Sequence, residues 1–247
     1  MNSNAYSPQR IFALARKELD SFMRSPVFYG IAVFFLLFTG VWLFYFQRYF
    51  TMNQATLRPY FAAFPLAFIL VIPVITMKSW AEEQKTGTAE LLLTMPFSEW
   101  DLVLGKFLSA GGIVAALLVL TLPLPLALAP LGKYDAGVIA AEYLGALLMG
   151  AASVSLGNFL SALAKNQGGA FLGSAAVLLV VMLANQVSQT ASLPAAVSSF
   201  ISFISLSFHF ESFSRGLLDS RDLAFFVLTA VLFLYLNTQV LLYRKWR

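Results

Sequence analysis

Six apolar segments, each about as long as a helix that crosses a lipid bilayer, set the first limit on how this chain can fold. Hydrophobic residues make up 59% of the 247 residues and charged residues only 11%, whereas soluble domains carry roughly 25% charged residues. The composition excludes a soluble globular enzyme and predicts an all-α polytopic membrane protein with six transmembrane helices. The six segments are residues 27–46, 60–77, 107–130, 138–163, 170–187 and 223–243.

Prolines and serines predict where these segments depart from a regular span. Pro65 and Pro73 lie inside the second segment and Pro123 lies inside the third, so we expect both helices to be kinked. A seventh candidate, residues 195–210, is short and contains several serines. Segments of this length are more often re-entrant or interfacial than spanning, which keeps the number of spans at six.

The basic residues predict the orientation of the spans. With six spans, eleven of the 16 Lys and Arg residues fall on the side that holds both termini, and five fall on the other side. Lys and Arg accumulate in the cytoplasmic loops of membrane proteins. We therefore expect a multi-pass protein with both termini in the cytoplasm.

Residues 8–25 precede the first span and have an amphipathic pattern. At the helical repeat, Ile11 and Leu19 lie on an apolar face, and Arg16 and Lys17 lie on the opposite face. The pattern predicts a helix at the level of the lipid headgroups. A general membrane anchor and a specific functional element both remain open.

Residues 78–106, between the second and third spans, carry an unusual share of the acidic residues. The acidic residues of this segment are Glu82, Glu83, Glu90, Glu99 and Asp101. Ser98 precedes two of them and is predicted to cap the helix that enters the third span. The segment also places apolar residues such as Leu91 on the water side, where they either bind a partner or pack on the ends of the spans.

Polar groups within the spans are few. Glu142 lies near the outer end of the fourth segment, and we expect a carboxylate that reaches water at the headgroup level. Asn158, Asn185 and Gln186 are expected to make hydrogen bonds between helices. The lack of a buried ionisable relay counts against an ion-coupled carrier.

Small residues recur at intervals of four in two segments. Ser153, Gly157 and Ser161 form one row, and Gly169 and Gly173 form another. Such rows allow two helices to approach closely in a membrane. We expect contacts within one chain, with contacts between two copies as the alternative.

The side-chain inventory limits the chemistry of the chain. It contains no Cys and a single His, so a thiol nucleophile or a histidine-rich metal site is not expected, and we do not predict an enzyme. His209 is expected to be a satisfied interfacial residue, and Arg215 to pair with Asp219 one helical turn away. A phosphate-binding loop needs Gly-x-x-x-x-Gly-Lys-Ser/Thr, and neither Gly-Lys pair is followed by Ser or Thr.

Two long motifs resemble one family of membrane proteins. The first motif runs from Glu82-Glu83 through Gly87-Thr88-x-Glu90-Leu91-Leu92-Leu93-Thr94-x-Pro96 to Ser98 and Val103-Leu104-Gly105-Lys106. The second motif runs from Phe208-His209-Phe210-Glu211 to Arg221-Asp222. Together with the six spans, these motifs resemble the ABC-2 type transporter permeases, and most closely their gliding-motility-like subfamily, near the NosY-like permeases.

The resemblance implies a permease subunit that carries no ATP site of its own. Such permeases pair with an identical or similar permease and with two cytoplasmic ATPase subunits, which bind ATP and Mg²⁺. They lie in the bacterial cytoplasmic membrane, export their substrate, and in some cases bind a periplasmic or membrane accessory protein. The resemblance implies no nucleic-acid partner. A secondary carrier or channel, and a complex that does mechanical work on the envelope, are the alternatives.

The resemblance also assigns roles to three segments of one transmembrane domain, residues 1–247. Residues 8–25 correspond to the elbow helix, 78–106 to the cytoplasmic coupling segment, and 189–222 to re-entrant helices at the outer face. The residues implied at the ATPase-coupling interface are Trp80, Glu82, Glu83, Gly87, Thr88, Glu90 and Leu91. Those implied in the elbow helix are Arg16, Lys17 and Glu18, and those implied in the outer gate are His209, Glu211, Arg215 and Asp219.

Overall fold

A computed structural model describes residues 8–51, 54–87, 98–190 and 194–245. In this part of the chain all regular secondary structure is helical. Among the described residues, six helical stretches are long and apolar enough to cross a membrane, which confirms the predicted number of spans. We call them spans 1 to 6: Pro26–Thr51, Arg58–Thr86, Glu99–Leu131, Ala136–Leu163, Gln167–Thr190 and Ser220–Arg244.

The first two spans are each built from several helices. Helix α1, Pro8–Met23, precedes α2, Pro26–Val41, which continues through a π-helical turn, Trp42–Phe46, and a 3-10 turn, Tyr49–Thr51. Span 2 consists of α3, Arg58–Phe61, α4, Ala63–Thr76, and α5, Ala81–Thr86.

The remaining elements are longer helices and one pair of short ones. Span 3 consists of α6, Glu99–Thr121, α7, Pro123–Leu128, and a 3-10 turn, Ala129–Leu131. Spans 4 and 5 are α8, Ala136–Leu163, and α9, Gln167–Thr190, and span 6 is α12, Ser220–Lys245. Two short helices, α10, Ala195–Ile204, and α11, Leu206–Ser214, cover the region expected not to span.

Capping residues explain where several helices begin. The Ser25 hydroxyl accepts a hydrogen bond from the Val27 amide, and Pro26 occupies the first turn of α2, where a missing N–H costs nothing. Ser98 and Asp101 form a reciprocal capping box at the start of α6, with N–O distances of 3.1 and 3.2 Å. The prediction that Ser98 caps this helix is therefore confirmed.

Span 3 is interrupted at the proline that predicted a kink, whereas span 2 is interrupted away from its prolines. In span 3 the regular helix ends at Thr121, and Leu122 separates it from the helix that begins at Pro123. Proline lacks the N–H that would continue the ladder, so a break at this point follows from the sequence. In span 2 the breaks lie at Ala62, between α3 and α4, and at residues 77–80, between α4 and α5. Pro65 and Pro73 both stay inside α4, so the kinks expected at these prolines are not found.

Span 4 lies at the centre of the bundle. It packs against α4, α6, α9, α11 and α12, and its residues 152–158 are all buried. Small side chains allow this packing: a Cβ atom at Gly157 would lie 2.5 Å from Thr76 Oγ1, and one at Gly145 would lie 2.6 Å from Phe213 Cγ. Gly157 thus confirms close packing within one chain. Gly173 has no atom within 4 Å of its Cβ position, so the second row makes no such contact there.

The spans differ in how much of their surface is covered. In the most apolar 18-residue stretch of span 2, 72% is buried inside the bundle, whereas the corresponding share is 28% in spans 5 and 6. The free faces of span 6 carry exposed Leu228 and Val231. These faces are suited to lipid or to a second membrane helix.

Both termini of the described chain lie at one end of the bundle. There, Trp80, Leu102, Ala162 and Leu241 pack in one apolar cluster that joins the ends of spans 2, 4 and 6 to the start of span 3. We call this the terminal end. At the opposite, distal end, the hydroxyls of Tyr49 and Tyr134 are hydrogen-bonded to each other, which joins the end of span 1 to the loop between spans 3 and 4.

Candidate coupling site

A buried lysine at the terminal end connects three elements that are distant in sequence. Lys106, on the second turn of α6, is 3% exposed. Its Nζ lies 2.9 Å from Glu18 Oε1 on α1 and 2.7 Å from Glu83 Oε1 on α5. It also lies 4.8 Å from the centre of the Trp80 ring, within the range of a cation–π contact. We call Glu18, Trp80, Glu83 and Lys106 the lysine cluster.

The charge balance of the lysine cluster makes it sensitive to the position of each element. One ammonium faces two carboxylates, so movement of α1 or α5 away from α6 would leave Lys106 buried with fewer hydrogen bonds. A buried charge that loses its partner destabilises the structure strongly. The lysine cluster therefore favours concerted movement of the three elements.

Span 4 is attached to the same site by hydrogen bonds to the backbone. The Ser161 hydroxyl accepts from the amides of Trp80 and Ala81, at 3.2 and 3.3 Å. The Gln84 side-chain amide donates to the Ala162 carbonyl oxygen at 3.0 Å. The first turn of α5 is thus fastened to the last turn of α8.

The exposed edge of α5 directly precedes residues 88–97, which lie outside the described part of the chain. Lys85, Thr86 and Gly87 are exposed, and Gly87 ends the helix with a φ of 73°, a left-handed conformation that favours glycine. Of the predicted coupling residues, Thr88, Glu90 and Leu91 lie outside the described residues.

A cleft of about 520 Å³ opens beside the lysine cluster. It lies between α1 and the ends of spans 2 and 3, and its polar wall includes Lys17, Lys78, Glu82 and the three charged residues of the lysine cluster. Arg16 is exposed on α1 and does not line the cleft. The predicted elbow and coupling residues Lys17, Glu18, Glu82 and Glu83 are therefore brought together in one place.

The predicted outer-gate residues lie at the distal end but do not form the expected pair. Arg215 lies 2.7 Å from Glu211, one turn before it in α11, instead of pairing with Asp219. Gly216, at φ 74°, turns the chain directly after Arg215, so the helical spacing assumed for Asp219 does not exist. Asp219 accepts a hydrogen bond from the Arg221 amide at 2.9 Å.

Glu142 contradicts its predicted position at the membrane surface. Its side chain is fully buried, at 0% exposure, and its Oε1 accepts a hydrogen bond of 3.1 Å from the Ser214 hydroxyl. Helix α11 covers this part of span 4, as the contact of Phe213 with Gly145 shows. The expected route of the carboxylate to water is therefore closed.

The three amide side chains expected between helices do not make the predicted hydrogen bonds. Asn158 is buried, and neither atom of its amide has a partner in the described part of the chain. Asn185 accepts from Gln189 at 3.4 Å, within the same helix. Gln186 is exposed and lines a distal pocket of about 230 Å³ between spans 2 and 5 and α11.

Sequence reasoning missed the roles of Lys106, Ser161 and Asp222. Lys106 was noted in the first motif and among the basic residues of the inner side, without a partner, yet a lone cation at the start of an apolar helix signals that a carboxylate must lie near it. No spacing rule connects residues 18, 83 and 106, because their contact depends on tertiary packing. Asp222 binds His209, whose ring nitrogens both have partners, as expected of a satisfied histidine.

Comparison with known proteins adds one finding. The family model described as ABC-2 family transporter protein matches residues 45–241, which is well over half of the chain. The matched range contains both motifs, spans 2 to 5, helices α10 and α11, and nearly all of span 6. No curated protein matches the chain.

Proposed function

The chain belongs to the ABC-2 family of transporter proteins and is the transmembrane component of an ABC transporter, and we propose that separate ATPase subunits drive it to export a substrate. The lysine cluster is the observation that carries this proposal. It connects the exposed end of α5, where a partner can bind, to α1 and span 3, while Ser161 connects α5 to span 4. A movement of residues 78–106 is then transmitted to spans 2, 3 and 4.

The energy for transport comes from partners in this proposal. The chain has no phosphate-binding loop, because Gly105-Lys106 is followed by Phe107 and Gly132-Lys133 by Tyr134. Two ATPase subunits that bind ATP and Mg²⁺ would contact Glu82, Lys85 and the segment that follows Gly87. Glu82 and Lys85 present charge at this edge, which suits a polar docking surface.

A second permease completes the transporter in this proposal. Spans 5 and 6 leave most of their apolar surface uncovered, and Gly173 on span 5 has open space at its Cβ position. A second copy of the chain, or a similar permease, would pair there and form the transport path between the two halves. The terminal end lies in the cytoplasm and the distal end on the outer side of the bacterial cytoplasmic membrane, in agreement with the distribution of Lys and Arg.

The buried Glu142 favours a second candidate, an ion-coupled carrier. Ionisable groups inside a span are costly and commonly mark ion or proton pathways. Glu142 is fully buried in span 4, and its Oε2 atom has no hydrogen-bond partner in the described part of the chain. In the ABC transporter we propose, Glu142 instead fixes α11 to span 4 through Ser214.

A pull-down from membranes tests the proposal. The tagged chain, solubilised in mild detergent, should retain a cytoplasmic protein with a phosphate-binding loop, identified by mass spectrometry. Glu82→Lys should reduce that association at least about tenfold, because it reverses a charge at the docking edge while leaving the lysine cluster intact. Asp20→Lys, the same charge change on the exposed face of α1, is the matched control and should retain the partner.

Two results would overturn the proposal in favour of the carrier. The first is a chain that purifies alone under conditions that preserve other ABC complexes. The second is ion-driven transport in vesicles without ATP that Glu142→Gln abolishes. Retention of the ATPase by Glu82→Lys would move the docking surface away from this edge of α5.

A further inference from the structure

His209 lies between two hydrogen-bond acceptors at the distal end. Its Nδ1 is 2.6 Å from Asp222 Oδ1 on α12, and its Nε2 is 2.8 Å from the carbonyl oxygen of Phe203 on α10. The histidine is 3% exposed and the aspartate 6% exposed, so water does not compete for these contacts. One imidazole therefore joins the three helices α10, α11 and α12.

The identity of the two partners fixes the number of protons at this position. A backbone carbonyl can only accept, so Nε2 must carry a hydrogen. The contact between Nδ1 and the carboxyl group then needs a second hydrogen, either on Nδ1 or on Asp222. Both arrangements hold one proton more than a neutral imidazole beside an ionised carboxylate.

Each charge of an imidazolium–carboxylate pair would have a suitable neighbour at this site. Asp222 lies in the first turn of α12, where the helix dipole stabilises negative charge. The His209 ring stacks on Phe225 with ring centres 3.7 Å apart and an angle of 19° between the planes. An aromatic face stabilises a cation in this position.

We propose that His209 and Asp222 form a proton-binding site that fastens α10 to the distal end of the bundle. When the site loses its proton, the single remaining N–H can serve only one of the two acceptors. The carboxylate is the stronger acceptor and keeps the hydrogen, so the contact with the Phe203 carbonyl is lost.

Helix α10 is poorly held by other means, so loss of this contact has a local consequence. None of its residues is buried. Its other polar attachment in the described part of the chain is the Ser188 hydroxyl on span 5, which contacts the hydroxyls of Ser198 and Ser202 at 2.7 and 3.0 Å. Ser205, the residue that follows α10, is buried, and its hydroxyl donates to the Met182 carbonyl oxygen at 3.4 Å. Deprotonation should therefore loosen α10 up to Ser205 while leaving α11 and span 6 in place.

Within the described part of the chain, the other charged groups near the site have partners or positions away from His209. On α11, Glu211 is paired with Arg215, and on α12, Arg221 is exposed. On span 4, Glu142 binds Ser214. Helix α10 contains no titratable side chain. Asp222 is thus the titratable group that acts directly on the imidazole.

Hydrogen–deuterium exchange of the full chain in lipid nanodiscs tests the proposal. Histidine changes charge between about pH 5 and 8, so exchange is measured across this range and corrected for its intrinsic dependence on pH. We expect the amides of residues 198–204 to exchange about tenfold or more faster at the high end, from the loss of one charge-assisted hydrogen bond. The amides of α11 should change little.

Two variants make the result specific. His209→Phe keeps the aromatic stack but has no N–H, so α10 should exchange fast at every pH. Ser188→Ala removes the hydroxyl contacts between span 5 and α10. It should speed amide exchange at every pH while preserving the further increase at high pH, which we call the pH step. An absence of a pH step in the natural chain, or its persistence in His209→Phe, would overturn the proposal. Neither outcome bears on ATPase binding.

Discussion

At the scale of single residues, Lys106 has the largest expected effect. It is almost fully buried, while Glu18 and Glu83 remain partly exposed and can be screened by water. Lys106→Met should lower the stability of the chain by about 3 kcal/mol, because two carboxylates then lose their common cation. The measurement is the melting temperature in detergent, and recovery in the triple variant with Glu18→Gln and Glu83→Gln is the control. An unchanged melting temperature would show that the lysine cluster does not stabilise the terminal end.

The same scale shows which residue roles the sequence could reveal. Ser98 as a helix cap follows from local chemistry, since its partner Asp101 lies three residues away. Glu142 was assigned to the membrane surface because the sequence does not show that α11 folds over it. Arg215 was assigned the wrong partner because Gly216 ends the helix before Asp219. Local signals were reliable where the helix continued, as at Ser98, and failed where it ended, as at Arg215, while contacts between distant segments were not predictable.

At the scale of helices, the contact between spans 2 and 4 depends on the absence of a side chain. The Cβ position of Gly157 lies 2.5 Å from Thr76, whereas that of Gly173 is open. Gly157→Ala should destabilise the chain by about 1–3 kcal/mol because spans 2 and 4 must separate. Gly111→Ala on α6, where the Cβ position is also open, is the matched control and should melt like the natural chain, and equal effects of the two variants would contradict this packing.

Helix boundaries follow the same division between local and distant causes. The break before Pro123 and the number of spans are predictable from residue type and segment length. The position of α1 against α6 is not, because it depends on Glu18 meeting Lys106 and on Leu14 packing at Gly105. The resemblance pointed to residues 78–106, but the contact of α1 and α5 with Lys106 became visible only in the folded chain.

At the scale of the whole molecule, the proposed orientation can be tested without removing any residue first, because the chain contains no Cys. The variant Lys133→Cys carries one thiol at the distal end, and this thiol should react with a membrane-impermeant reagent in intact cells. The variant Lys165→Cys carries one thiol at the terminal end, and this thiol should react only after the membrane is permeabilised. The reverse pattern would place the termini outside and exclude ATPase binding at residues 78–106.

The central claim is that ATP used at the terminal end changes the distal end of the same bundle. Gln186→Cys places one thiol in the distal pocket between spans 2 and 5 and α11. The most direct measurement is its labelling rate in the reconstituted complex, with and without ATP and vanadate. We predict that trapping the ATPase changes the rate several-fold, and that Ser161→Ala, which removes one of the two attachments of α5 to span 4, weakens this response. A labelling rate that is identical in both states, in a complex that hydrolyses ATP, would contradict the claim.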